Sequence, residues 1–261
     1  KNGKYDVLCL WGGYNAFQRM AILAAKKLNI KVYHFENGSL PNTTVMDNKG
    51  TNYNNSVPRD RSFYSNIEIN FTPAPLVPRD TLSAKPATIL PQRYIFCPFQ
   101  VELDNQILIN SPWITNMFQF YEVIEELAKH APEDCFFVIK AHPNCKQDYS
   151  ELYKKNNPKI VFANNNSTED LIKNADFIIT INSTVGIEGI MKNKKVITLG
   201  NAFYSGYGFA KDARSVDQIL YLLSDNMWEV EEEENLKFLS FLQNIYFVPG
   251  SWKSPTKEHL E

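Results

Sequence analysis

Two segments, Phe137-Val-Ile-Lys-Ala-His-Pro143 and Ala175-Asp-Phe-Ile-Ile-Thr-Ile-Asn-Ser-Thr-Val-Gly-Ile-Glu188, are apolar runs of strand length that stop abruptly in small polar groups. Short continuous apolar runs of this kind are strands buried on both faces, the pattern of a sheet sandwiched between helices. In an open α/β sheet, ligands are held outside the carboxyl ends of such strands. The pair therefore reads as one phosphate-binding site.

The rest of the chain supports an alternating α/β organisation. Val7-Leu-Cys-Leu-Trp11 and Lys31-Val-Tyr-His-Phe35 read as strands on either side of a helix over 16–28, which makes one βαβ unit. From Glu36 to about Gln92 the periodicity fades, and Pro41, Pro58, Pro73, Pro75, Pro78, Pro86 and Pro91 interrupt it. Long irregular segments of this kind serve as binding loops or interdomain connections. From Tyr94 the alternation returns. Strands are expected at 94–98, 135–140, 159–162, 176–181 and 195–199, with helices at 112–130, 147–155, 168–174 and 185–193. Short joints between them predict a parallel sheet with helices on both faces. Two further helices are expected at 215–224 and 231–247, the second opening on Glu231-Glu-Glu-Glu234, acids that favour a helix N-terminus and sit in solvent. The expected domains are an N-terminal Rossmann-like half over 1–90, a ligand-binding Rossmann-like half over 91–230, and a C-terminal helix over 231–261 that bridges back to the first. Their parallel sheets would face a cleft.

Composition removes several classes of function. A formal charge of −2 argues against a broad nucleic-acid surface, and no run of eighteen apolar residues offers a membrane span, which leaves room for a local membrane-facing patch. Cys9, Cys97, Cys135 and Cys145 form no CxxC and are expected as buried free thiols of a reducing compartment. No signal peptide is visible. The abrupt start, with a strand by Tyr5, suggests an excised domain, and Leu260-Glu261 resembles a cloning remnant.

The chemistry-bearing residues gather at strand ends. Lys140, His142 and Pro143 would aim a cation and an imidazole out of the sheet edge, with the proline fixing the turn. A lone His-Pro reads more readily as a structural turn, and it is the second segment that shifts the balance toward a ligand. Asn182, Ser183 and Thr184 end the next candidate strand at the start of a helix, where unpaired N–H groups favour an anion. An ordinary N-cap would need only one of those hydroxyls. Gly186 allows close approach, and Glu188 can accept from sugar hydroxyls. Glu36, in Phe35-Glu-Asn-Gly38, and Asp104, in Gln100-Val-Glu-Leu-Asp-Asn-Gln106, could supply two carboxylates to a sugar carbon, the pairing that acid–base or covalent glycosyl chemistry requires. Gly12-Gly13 is not part of a GxGxxG fingerprint, so no nicotinamide or flavin cofactor is expected. The chain also lacks Asp-x-Asp, which favours phosphate binding without a metal.

As a set, these segments resemble the bacterial capsule polysaccharide biosynthesis proteins, including the retaining β-Kdo transferases. The resemblance rests on Glu36-Asn-Gly38, Ser56-Val-Pro-Arg-Asp60 with Phe63-Tyr64, Gln100-Val-x-x-Asp104 with Gln106, Lys140-x-His-Pro143, Ile181-Asn-Ser-Thr-Val-Gly-Ile-Glu188, and Val196-Ile-Thr-Leu-Gly200 with Ala202-Phe-Tyr204. It implies a GT-B-like glycosyltransferase that moves Kdo from CMP-Kdo to a surface glycan or glycolipid with retention, needing neither cofactor nor metal. It also implies that His142 and Ser183-Thr184 contact the CMP phosphate, that Asp104 is the nucleophile and Glu36 the second carboxylate, and that Gln100, Gln106, Arg59 and Tyr204 line the cleft. Cytoplasmic residence follows, with peripheral association at the inner membrane face and no nucleic-acid partner. The competing readings are a sialyltransferase-like enzyme using another CMP-sugar, a hydrolysing sugar-nucleotide epimerase, and a non-catalytic glycan-binding domain.

Overall fold

The computed structural model describes residues 5–75 and 86–253, so Pro78, Leu260 and Glu261 lie outside the described residues. The first elements are β1 (Val7–Trp11), α1 (Ala16–Lys27), β2 (Lys31–Asn37), β3 (Thr43–Asp47), β4 (Tyr94–Pro98), α2 (Asn105–Leu108), α3 (Met117–His130), β5 (Phe136–Lys140) and α4 (Ser150–Lys154). There follow β6 (Ile160–Phe162), α5 (Thr168–Asn174), β7 (Phe177–Thr180), α6 (Val185–Met191), β8 (Lys195–Thr198), β9 (Lys211–Asp212), α7 (Val216–Ser224), α8 (Glu232–Phe241) and β10 (Phe247–Pro249). The chain divides into two compact units, one formed by residues 1–74 with 236–261 and the other by 75–235.

In the first unit the sheet order is β1-β2-β3-β10. The βαβ unit forms as its sequence predicts: β1 and β2 are parallel, and α1 starts at a capping box in which Asn15 and Gln18 satisfy each other's backbone N–H groups. The sheet is nevertheless mixed rather than wholly parallel, because β3 runs antiparallel to β2 and β10 antiparallel to β3. The reversal after β2 is a tight one. Gly38 N–H donates to Thr43 O at 2.9 Å, and a Cβ on Gly38 would sit 2.7 Å from that of Thr43, so only glycine fits. The helix expected over 231–247 stops being regular at Phe241, passes through a π turn over Leu242–Tyr246 and becomes β10. Behind β3, Tyr64 lies edge-on to Phe238 and Phe241, and its hydroxyl donates to Pro58 O at 2.7 Å.

The second unit holds a six-stranded sheet, order β6-β5-β4-β7-β8-β9, in which every pairing is parallel. All of β4 is buried, and α3 covers the sheet with Phe120, Tyr121, Ile124 and Leu127. The chain leaves β4 toward β5 and β6 on one side and continues from β7 to β8 and β9 on the other. Strand order therefore reverses between β4 and β7, which places the switch point of the sheet at their carboxyl ends. Of the four free cysteines, Cys97 and Cys135 are buried as expected. Cys9 is exposed on the edge strand β1, and Cys145 is part-buried in the turn after β5. Among the described residues no helix is long and apolar enough to cross a membrane.

Candidate functional site

The loops at the switch point, 99–110 after β4 and 181–184 after β7, carry six of the fourteen predicted residues, Gln100, Asp104, Gln106, Asn182, Ser183 and Thr184. Their polar side chains are largely engaged with one another. Gln100 donates from Nε2 to Asn182 Oδ1 at 3.0 Å and accepts from the Asn182 N–H at 3.1 Å. Asn182 Nδ2 in turn donates to Gln106 O at 2.8 Å and Asn110 O at 3.2 Å. Gln100 and Asn182, read from sequence as ligand-facing, are thus a buried internal clasp. Gln106 accepts at Oε1 from Asn110 Nδ2 at 2.9 Å. Sequence reasoning misses Asn110, whose only signal is a polar residue closing the apolar run Ile107-Leu-Ile.

At the end of β5, Lys140 and His142 behave differently from each other. Lys140 is buried and donates to Asn164 O at 3.0 Å and Asn166 O at 2.6 Å, so its ammonium holds the loop after β6. Lys140 is the last residue of β5 and is buried like Phe137, Val138 and Ile139 before it, so its ammonium ends among backbone carbonyls. His142 lies beyond the strand. Its Nδ1 accepts from the Asn144 N–H at 3.2 Å, which places the proton of the neutral ring on Nε2. Pro143 sits inside the turn closed by Cys145 N–H to His142 O at 2.9 Å, as its fixed φ allows.

After β7, Ser183 and Thr184 are part-buried at the start of α6, and Ser183 Oγ accepts from the Val185 N–H at 3.2 Å. Tyr204 is buried beneath this turn and donates to Ser183 O at 2.5 Å; burial first, and the neighbouring Glu188 carboxylate second, push its phenol pKa up. Gly186 packs closely against this phenol, since a Cβ there would lie 2.6 Å from Tyr204 Cζ. Gly186→Ala is accordingly expected to destabilise the second unit by about 1–3 kcal/mol by overpacking. Denaturant unfolding of the variant checks this, and an unchanged midpoint would mean that Tyr204 yields freely. Glu188, one turn into α6, is itself buried, 3% exposed.

Asp104 is exposed and caps the single turn of α2, its Oδ1 accepting from the Gln106 N–H at 2.9 Å. The neighbouring carboxylate of Glu102 is committed to the Met117 N–H at the start of α3, at 3.0 Å. Glu36 and Arg59 belong to the first unit. Glu36 lies at the end of β2, where Oε1 accepts from the Asn37 N–H at 2.9 Å. Arg59 organises its own loop, donating to Val57 O at 3.0 Å, Tyr53 O at 2.8 Å and Asn55 Oδ1 at 2.9 Å.

A family described as capsule polysaccharide biosynthesis protein matches residues 6–83 and 79–221. The chain belongs to that family. Protein FixF of Sinorhizobium fredii is 34% identical over 238 residues, covering 90% of this chain and 59% of FixF. The capsule polysaccharide export protein KpsS of Escherichia coli is 31% identical over 123 residues, 44% of this chain and 32% of KpsS. The chain thus spans less than two thirds of the length of either relative. Among solved structures, the β-Kdo 2,4 transferase of Thermosulfurimonas dismutans KpsC matches with a TM-score of 0.57 at 18% identity, over 90% of this chain and 79% of that one. The β-Kdo 2,7 transferase of the same protein gives 0.56 at 21% identity, over 93% and 78%. The fold of this family member is therefore α/β and GT-B-like.

Proposed function

We propose that the chain is a glycosyltransferase, or the transferase part of a longer one, that moves Kdo from CMP-Kdo to a surface glycan or glycolipid with retention at the sugar. The observation that carries this reading is that His142, its Nε2 carrying the ring proton, follows β5 and Ser183-Thr184 follow β7, the two strands on either side of β4, in a chain whose fold matches that of β-Kdo transferases. In it, His142 and the Ser183-Thr184 hydroxyls hold the donor phosphate. Asp104 attacks the anomeric carbon as CMP departs, and Glu36 is the second catalytic carboxylate. The work is done on the cytoplasmic side of the membrane, close to its surface.

Nucleotide binding tests the donor. In a thermal-shift panel, CMP is expected to stabilise the protein while UMP, UDP and GDP do not. His142→Ala should weaken CMP binding roughly ten- to a hundredfold, the effect of losing a hydrogen bond to a charged group. A UDP response would transfer the reading to other sugar nucleotides, and silence across the panel would favour a glycan-binding role.

Because the sequence carries no Asp-x-Asp pair, transfer is expected to persist in EDTA, with fixed donors stabilising the departing phosphate. The assay supplies pre-formed CMP-Kdo so that the metal requirement of the donor-making enzyme does not intrude. Activity lost in EDTA and regained with added Mg²⁺ would show that the phosphate needs a metal partner.

A further inference from the structure

We infer that Asn182 is a positioning residue that clamps the Asp104 loop to the donor-binding turn, so that a single buried amide sets where the nucleophile stands relative to the donor phosphate. The inference rests on the roles proposed above for Asp104 and Ser183. Its geometry does not. Asp104 lies between two points of attachment: upstream, Gln100 exchanges two hydrogen bonds with Asn182, and downstream the carbonyls of Gln106 and Asn110 both accept from Asn182 Nδ2. The next residue along the chain is Ser183, whose carbonyl is held in turn by Tyr204.

Glu102 ties the start of the loop to the Met117 N–H at 3.0 Å, and the Asn201 N–H donates to Asn110 O at 2.7 Å at its end, but the stretch between them is thinly packed. Leu103 and Leu108 are 83% and 62% exposed, α2 is a single turn capped by Asp104 itself, and Ile107 is the one apolar side chain of that turn that is buried. Side-chain chemistry then makes the asparagine specific. A carboxamide of this length accepts once and donates twice, as the three partners require. An aspartate would keep the acceptor for Gln100 but set a carboxylate against two carbonyls. The 2%-exposed site makes every lost bond count, because water does not replace it.

Two readouts on Asn182→Asp and Asn182→Ala test the clamp. Amide hydrogen exchange in the ligand-free proteins is expected to rise by about tenfold or more at Gln106–Ile109, while β4, β5 and β7 keep wild-type protection. In transfer assays kcat should fall about tenfold or more with the KM for donor within about threefold, the signature of a misplaced reacting group rather than a lost ligand. A raised donor KM at normal kcat would make Asn182 a donor contact and overturn the inference. So would unchanged exchange in the loop, or an equal rise over the loop and all three strands in both variants. If wild-type protein neither binds CMP nor transfers sugar, the proposed function fails, and the exchange data still decide whether Asn182 holds the loop.

Discussion

Asp104→Asn is expected to lower sugar transfer on the order of a thousandfold while leaving CMP affinity within about threefold, the pattern of a lost nucleophile rather than a lost binding contact. Asparagine is the informative replacement because Asp104 caps α2 through Oδ1, accepting from the Gln106 N–H. Asparagine caps helices as well as aspartate does, so the loop keeps its shape and only the charge disappears. In the proposed step an Asp104 carboxylate oxygen bonds to the anomeric carbon as the bond to CMP breaks, and CMP leaves with the bonding electrons. The acceptor hydroxyl then displaces the carboxylate as its proton passes to the second carboxylate proposed above, Glu36, and two inversions give retention. Intact-protein mass spectrometry with donor alone should show a sugar-sized adduct on wild type and none on the variant. Near-normal turnover of Asp104→Asn would remove the residue from the mechanism. Glu102 is a poor substitute, being committed to the start of α3. A product of inverted configuration would remove the covalent adduct itself.

The second unit was legible in the sequence because its central strands are buried on both faces, and continuous apolar runs such as Phe137–Ile139 and Ile178–Ile179 report that burial directly. The switch point between β4 and β7 follows from their pairing, which no local pattern encodes. The first unit was legible only in its βαβ part. Strand β3, Thr43-Thr-Val-Met-Asp47, mixes polar and apolar residues inside a proline-rich segment, and β10 is three residues long, ends in Pro249 and follows directly on a helical run. Both form through pairings with partners chosen by the tertiary fold.

For the site, the sequence indicated which residues stand at strand ends but not which polar atoms their neighbours consume. Lys140, Gln100, Asn182 and Arg59 all turn out to hold loops in place. Ser183 and Thr184 stand at the start of α6, as read. The distinction arises because a cationic or amide group near a carbonyl-rich turn is captured by it before any ligand arrives. Gly186 shows the same limit: its neighbour Tyr204 lies too far along the chain for any motif to link the two.

The largest loss of stability is expected at Asp47, the last residue of β3, a 3%-exposed carboxylate that gathers distant parts of the first unit. Oδ1 accepts from the Lys49 N–H at 2.7 Å, while Oδ2 accepts from the Ser56 N–H at 2.6 Å, the Ser56 hydroxyl at 2.8 Å and the Tyr246 hydroxyl at 2.9 Å. Burial alone would raise its pKa, but these hydrogen bonds outweigh it and hold the carboxyl below its ordinary value. Asp47→Ala leaves several buried donors without an acceptor at once, so a loss of about 3–5 kcal/mol is expected at neutral pH. Because the folded pKa is depressed, the stabilisation is present above the unfolded pKa and is lost as pH falls through the folded one. Wild type should therefore lose stability from about pH 4 downward, and the difference between it and Asp47→Ala should shrink over the same range. Urea unfolding at neutral pH and at successive acidic steps measures both effects. A gap that stays constant into strong acid would mean that the charge on Asp47 contributes nothing, and a gap absent at neutral pH would mean that Ser56 and Tyr246 find other acceptors.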